Sequence, residues 1–580
     1  MTGHIIFVRL CRRCKRFGRG LPCIGGIAHV WDELAILVRC NSDGIFTLEK
    51  ESYLPISTYT NAVFFDFNND GNLDLLIMGQ GGDWNVSGDV KIVALYRNLG
   101  EENDYRFEKV ANPGFFPYKD EGFYNPISVG DYNHDGYTDV VVMNYHEGRR
   151  VDLYLNDRGS GTFIHQEQQV FEGATNGSVM FGDLNNDGWL DIEFSGYSDR
   201  ASTGIKTYIN KCDGSFADET PANIYGAFQG QSTLADINGD GTLDIISTGN
   251  GDNWVCLASL FYNTVDKDGK CTYRYVSEKE SNLLGVSRAN PLVADFNGDG
   301  RMDMVINGEP SDGSGYRNRI YYQTPEGKFV MDKSYPVVPV NQDGGINMGD
   351  VNGDGNMDLI VGGYVGTYDK APDSYYSSPL RVYENNPQKN GLPGNTFPEP
   401  PAKVTATMEG DELLITWLPG SDKETPEAAL RYNIYVRNET TGELYTMIPV
   451  DIETGKLKVG TDLQTSLSSA LNSYRMRVFG EGKYTVGVQT LDQSYAGSKF
   501  ATAGFSATGI RQVAASDHFR VVTVDSGVVI RGVDNHKVVV YAMDGRTVNT
   551  GFSNTVIPLS EKGVYVVSVS GEDAPLKCMY

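Results

Sequence analysis

The chain has 580 residues, with 49 Lys and Arg against 75 Asp and Glu, and a formal net charge of −26. That length calls for two to four domains rather than one core. No run of 18 apolar residues is present to make a membrane-spanning helix, and the acidic balance argues against a nucleic-acid binder, which needs a basic face.

Glycine (67 residues) and tyrosine (34) are abundant, a mix that suits many short strands and tight turns. Residues 1–40 read as an atypical basic leader, carrying Arg9, Arg12, Arg13, Lys15, Arg16 and Arg19. Its apolar run, residues 5–10, is broken by Arg9 and is too short for a signal-peptide core, so either the protein is cytoplasmic or, as the exported look of the rest favours, the segment is a mis-assigned or poorly ordered leader. Cys11 and Cys14 form a lone CxxC. Cys23 and Cys40 are 17 apart, whereas zinc wants a second close pair. Further on, a Cys256–Cys271 bridge would fit within a single repeat.

From residue 66 a nine-residue pattern, D-x-N-x-D-G-x-x-D, recurs six times. Its polar positions are Asp66, Asn68, Asp70 and Asp74; Asp131, Asn133, Asp135 and Asp139; Asp183, Asn185, Asp187 and Asp191. They continue with Asp236, Asn238, Asp240 and Asp244; Asp295, Asn297, Asp299 and Asp303; Asp350, Asn352, Asp354 and Asp358. The starts are 65, 52, 53, 59 and 55 residues apart, a period that means a propeller, solenoid or array. Short β-branched runs flank each copy and read as strands. An aromatic-x-Asn signal follows, ending at Asn98, Asn156, Asn210, Asn263 and Asn385; the fifth copy departs with Gln323. A Gly-x-Phe usually comes next, which gives four strands per repeat, the unit of a β-propeller blade.

These residues resemble the FG-GAP/VCBS repeat, the blade type of integrin-α propellers; Phe181-Gly182-Asp183 matches the name-giving dipeptide. The resemblance covers residues 41–397 and implies an all-β propeller of the seven-bladed type. Residues 41–46 resemble the outer half of a blade that lacks its acidic loop, so six complete blades plus a partial one are expected.

Three carboxylates and an amide oxygen in nine residues make a set of hard oxygen donors, with Gly at position 6 for the sharp turn. The set resembles the first half of an EF-hand loop and suits Ca²⁺, not zinc. Two carboxylates about 4 Å apart repel by roughly 4 kcal/mol at an effective dielectric near 20. About six structural Ca²⁺ ions are therefore expected, which would bring the net charge to about −14. Hydrogen-bonded Asx turns without metal explain Asp, Asn and Gly singly but not their fixed order. His134, at position 4 of the second loop, is expected to point into solvent.

Because antiparallel strands alternate in direction, connections 2–3 and 4–1 share the end opposite the acidic loops. Trp84, Tyr145, His146, Tyr197, Trp254, Glu309 and Tyr364 fall there, as do Phe115, Phe116, Tyr118 and Tyr124. Aromatics beside polar groups suit sugar rings or a protein partner; inter-blade packing is the plain alternative for any one of them. The expected ligand-binding set is Trp84, Tyr145, His146, Tyr197, Trp254 and Tyr364.

After a Pro-rich linker, residues 398–509 resemble a fibronectin type III sandwich, with Trp417 in its core and Tyr484 as the tyrosine-corner residue. Such a module implies a spacer, indifferent to calcium removal. Residues 510–580 resemble the C-terminal sorting-type β domain of Bacteroidetes secreted proteins, which would mark the chain for export and surface attachment. Its last residues, Leu576-Lys-Cys-Met-Tyr580, depart from the usual basic finish.

The sequence thus reads as an exported, non-catalytic, calcium-binding adhesion protein, extracellular, surface-bound or periplasmic. A glycan or a surface protein is the expected ligand, and the chain is expected to be monomeric. The alternative is a polysaccharide lyase, for which Tyr145-His146 with Arg149 and Arg150 is the one base-and-cation cluster. No nucleophile elbow, HExxH or phosphate loop is present.

Overall fold

The apolar runs on either side of each acidic loop are antiparallel neighbours in the computed structural model, and all six hairpins have one register. The residue before the first aspartate pairs with the last: Phe65 with Asp74, Gly130 with Asp139, Gly182 with Asp191, Ala235 with Asp244, Ala294 with Asp303 and Gly349 with Asp358. The structure describes residues 4–12, 32–40, 46–48, 58–81, 90–103, 105–116, 126–145, 148–167, 169, 171–198, 203–310, 317–334, 345–362, 380–409, 412–460, 463–507, 520–524, 527–531, 537–542, 546–553, 555–560, 564–569 and 576–579.

Each repeat is an antiparallel meander. The first orders Thr58–Phe65, Asp74–Gly81, Val90–Asn98 and Phe107–Lys109 side by side. The second, Ile127–Gly130 through Phe163–His165, and the third, Ala174–Gly182 through Phe216–Asp218, do the same. The fourth and fifth are joined into one sheet by a Leu257–Val286 pairing, and the sixth has three described strands. Second strands are apolar on both sides because each sheet packs between its neighbours: Leu75, Leu76, Ile77, Val140, Val141, Ile245 and Ile246 are fully buried.

His4–Arg12 and Asp32–Cys40, both within residues 1–40, pair with each other, and Asp32–Cys40 pairs with Phe46–Leu48, so the three make one sheet. The Cys256–Cys271 bridge does not form. Both thiols are free, because Cys256 opens its strand while Cys271 pairs with Val265 at that strand's far end. That is about 30 Å away at 3.3 Å per residue.

Beyond the linker, Ala402–Glu409, Glu412–Leu418 and Ser473–Arg477 form one sheet, and Leu444–Thr446, Arg431–Asn438, Gly482–Leu491 and Ala501–Ala507 another. Burial along 412–418 alternates, as a strand with one face on a core requires. Trp417 is buried against Tyr432, ring centroids 5.3 Å apart, and the buried Tyr484 hydroxyl accepts from Asn438 Nδ2 at 3.1 Å. Residues 1–478 and 484–505 make one compact unit, so the repeats and most of the two-sheet region belong together. Residues 479–483 and 506–580 make a second unit, with a core of Val528, Ile530, Val538, Val540 and Val567 between two small sheets.

Candidate metal loops and binding face

Within every acidic loop the aspartates first serve the backbone. The position-1 carboxylate accepts the N–H groups of positions 5 and 6, as Asp236 does from Asp240 (3.0 Å) and Gly241 (2.9 Å). At position 5, Asp240 accepts the N–H of Thr242 and the side chain of Asn238. The position-9 carboxylate takes the N–H of position 2 on one oxygen; on the other it takes the N–H of the residue that ends the aromatic-x-Asn signal. Asp191, for example, accepts from Leu184 (2.9 Å) and Asn210 (2.8 Å). This last bond recurs in all six repeats at 2.7–2.9 Å.

The same Asn then reaches back one repeat. Asn156 Nδ2 donates to Phe67 O, Asn210 to Tyr132 O, Asn263 to Leu184 O and Asn385 to Phe296 O. Gln323, the departure in the fifth copy, does the same job on Ile237 O at 2.9 Å. A second chain of bonds runs through position 4, where the backbone is left-handed in every loop. Asn69 Nδ2 donates to Gly136 O, His134 Nε2 bonds Gly188 O at 3.1 Å, and Asn186 Nδ2 donates to Gly241 O. The pattern hid this role, since position 4 reads as a variable x.

His134 is therefore not solvated. It is buried, stacked on Trp189 at 3.9 Å and tilted against Tyr474 at 4.6 Å, and burial pushes its imidazole down to about 4, so it is neutral. Tyr474 belongs to the two-sheet region, which lies directly on the acidic loops. Leu444 N–H donates to Asn69 O, Arg477 N–H to His134 O, Lys458 Nζ to Gly71 O, Ser468 Oγ to Gly241 O and Ser494 Oγ to Asp295 O. The linker's Asn395 Nδ2 donates to Gly355 O. Gly298 occupies position 4 of the fifth loop because the linker backbone is there: a Cβ would sit 2.3 Å from Gly394 C. Arg431 is buried beneath the third and fourth loops, its Nε donating to Ser466 Oγ, and its charge acts on Asp183 and Asp236.

Burial, with repulsion between carboxylates behind it, holds Asp66 up at about 7 and Asp74 at about 9. The same causes hold Asp183 at about 7 and Asp191 well above the carboxylate range. Asn68 Oδ1 and Asn297 Oδ1, at position 3 of the first and fifth loops, are buried without a hydrogen-bond partner. Arg97 pairs with Asp70 at 3.1 Å and Arg301 with Asp299 in those same two loops. Among the described residues no three His, Cys, Asp or Glu side chains are arranged to hold a metal ion. The donor chemistry nevertheless fits a hard cation: all-oxygen, triply acidic, buried, and with two orphaned amide oxygens.

At the other end of the sheets, Trp254 is 65% exposed and lies edge-to-face with Phe228 at 5.0 Å. Phe228 is 5.6 Å from Tyr197, over whose ring the Arg149 guanidinium sits at 5.1 Å. The structure brings Tyr197 and Trp254 into one row and adds Phe228 and Arg149 to it. Trp84, His146, Tyr364 and the side chain of Tyr145 lie outside the described residues. Arg150, the other cation of the lyase cluster, is bound to the buried Asp152, which His165 also contacts.

A family model described as FG-GAP-like repeat matches residues 66–142, 131–192 and 283–361. A T-cell immunomodulatory protein homolog of Plasmodium falciparum (isolate 3D7) is 27% identical over 266 residues, 40% of this chain and 36% of that protein. A T-cell immunomodulatory protein homolog of Plasmodium yoelii yoelii is 24% identical over 278 residues, 42% and 37% respectively. The match thus spans just over a third of each relative's length. Among solved structures, an exotype rhamnogalacturonan lyase is similar at 13% identity over 66% of this chain and 85% of its own, with a TM-score of 0.28. No helix among the described residues is long and apolar enough to cross a membrane.

Proposed function

We propose that the chain is an exported, non-catalytic binding protein: a ring of seven β-sheets stapled by calcium on one face and open to a glycan or protein ligand on the other. One observation carries the orientation. The two-sheet region and linker cover the acidic loops, while Trp254 stands exposed at the opposite ends of the same sheets. A partner therefore has the aromatic face available and not the acidic one.

Ring closure is supported by the leader's first strand, His4–Arg12, which contacts Asp358–Gly362 of the sixth repeat. Calcium at the six loops is supported by their donor set, and by burial and carboxylate repulsion that raise Asp66 and Asp191 and that a bound cation would offset. The ions would staple the hairpins, not take part in chemistry. At ten times its Kd each would add about 1.4 kcal/mol. In this reading the two-sheet region is the fibronectin type III-like module and acts as a cover on the calcium face, while the C-terminal unit is the sorting-type domain. The reading is tested by calcium-45 or atomic-emission stoichiometry on the chelator-stripped, refilled protein. About six ions per chain are expected, and none bound at millimolar calcium would overturn it.

A further inference from the structure

We infer that the two-sheet region carries fixed cations to the acidic loops and that these side chains compete with calcium for the same carboxylates, so that the cover sets the calcium affinity of individual loops. The inference rests on the calcium reading above. Lys458 Nζ donates to Gly71 O, at position 6 of the first loop, at 3.1 Å, and its charge acts on Asp66 and Asp70. At the sixth loop the Lys456 ammonium fills the space that a Cβ on Gly353 would take, and its charge acts on Asp350. A short hairpin, closed by Asp451 N–H to Lys456 O at 2.8 Å and Lys458 N–H to Pro449 O at 2.9 Å, holds both lysines.

Two arginines do the same for loops between these. Arg477 N–H donates to His134 O at 2.8 Å, which lays its strand on the second loop, and its charge acts on Asp135. Arg431 opens the strand Arg431–Asn438, and opposite it Ser468 Oγ donates to Gly241 O of the fourth loop at 2.6 Å. Arg431 Nε donates to Ser466 Oγ at 2.7 Å and Nη2 to the Ser466 carbonyl. Nη1 is buried without a hydrogen-bond partner, and the charges that favour this guanidinium are those of Asp236, Asp183 and Tyr495. The fifth loop differs. There the cover brings Ser494, whose Oγ donates to Asp295 O at 2.8 Å, and the buried carboxyl of Asp492, on which Asp295 acts. Arg301, which pairs with Asp299, belongs to that loop itself.

A fixed positive charge beside clustered carboxylates offsets their mutual repulsion, and the same charge repels a divalent ion that enters among them. Removing the cation from such a buried set leaves charge of the other sign uncompensated, which is costly, so the metal-free loops and the docked cover support each other. Calcium stabilises the fold only through its affinity for the folded loop, so a loop that already holds a lysine or arginine gains less from the ion. Loops with a cation from the cover therefore bind calcium more weakly than their donor sets alone allow.

The test is titration of the chelator-stripped full chain with calcium alone, at fixed ionic strength, comparing the wild type with the double variant Lys456→Gln, Lys458→Gln. Calcium at the first and sixth loops should bind about tenfold more tightly in the variant. At the free calcium that half-fills the wild type, the variant should then hold about one more ion per chain. Melting supplies a second readout. The metal-free variant should melt below the metal-free wild type, and calcium should raise its melting temperature by more. The double variant Lys456→Arg, Lys458→Arg keeps the charge and should titrate as the wild type does. If the glutamine pair fails to fold, Lys456→Gln alone carries the same test for the sixth loop, with half the gain in bound calcium. Titrations that coincide while calcium still binds, or a variant that melts lower by the same amount with and without calcium, overturn the inference and leave the calcium loops standing. No binding to either protein at millimolar calcium overturns the calcium reading and the inference together.

Discussion

Asn210 links three parts of the molecule with one side chain. Its Nδ2 donates to Tyr132 O (2.9 Å) and Leu190 O (3.1 Å), its Oδ1 accepts from Cys212 N–H, and its own N–H is held by Asp191. Asn210→Ala strands two buried carbonyls and should cost about 2 kcal/mol, since an unsatisfied buried polar group costs about 1–3 kcal/mol. Asn210→Asp keeps the acceptor but turns a carboxylate oxygen toward both carbonyls, so it should cost at least as much. Urea titration of both variants checks this, and a loss under 0.5 kcal/mol in each would mean that water replaces the amide without penalty. Asp240 makes a different case. Its side chain is one of the three carboxylates of the fourth loop, where Arg431 acts on Asp236, whereas Arg97 and Arg301 pair directly with the position-5 carboxylates Asp70 and Asp299. Asp240→Ala should lower bound calcium by about one ion per chain and leave the fold intact, because repeats are near-independent units. Unchanged stoichiometry would remove Asp240 from the ligands.

The hairpins were legible in the sequence because period, turn glycine and flanking apolar runs all agree, and six copies in one register bear that out. What covers the loops was not legible. A contact such as Ser468 Oγ to Gly241 O joins residues 227 apart and uses a backbone carbonyl, which leaves no signature in residue type. His134 was misplaced for the same reason, since its burial depends on Tyr474 and Trp189 rather than on its loop. The aromatic row was legible only in part. Trp254 and Tyr197 stand out by composition, while Phe228 and Arg149 become visible once strands are paired. The covering contacts also change what calcium removal should do. A spacer would ignore chelation, but this region hydrogen-bonds to the first, second, fourth and fifth loops. Chelator should therefore lower the melting of the repeats and of the two-sheet region together. The checks are scanning calorimetry and the near-ultraviolet signal of the buried Trp417. A Trp417 signal that melts at the same temperature with and without chelator would show that the contacts carry no energy.

Across the whole chain, the burial of six acidic loops sets how stability depends on pH, and under the calcium occupancy proposed above the sign would depend on the ion. In the metal-free protein Asp66, Asp183, Asp236 and Asp358 are held at about 7, Asp295 at about 6 and Asp74 at about 9, in each case chiefly by burial. Their unfolded value is near 3.9. A carboxyl raised by folding contributes its full stability below the unfolded pKa. It loses that contribution as pH rises through the folded one, because the unfolded chain ionises first. Each such group lowers stability by up to about 1.4 kcal/mol per pH unit between roughly pH 4 and 7. Stripped of metal, the protein should therefore become less stable from pH 4.5 to 7. Bound calcium favours the ionised carboxylates and pulls the folded pKa values below the unfolded ones. Stability is then present above about pH 4 and lost as protons displace the ion. Thermal melts of stripped and calcium-loaded protein across this window should slope in opposite directions and cross. The contrast is a property of the ensemble of loops, since no single carboxyl could reverse the slope of a 580-residue chain. Parallel slopes in the two series would mean that the loops bind no cation and that their hydrogen bonds alone balance the buried charge.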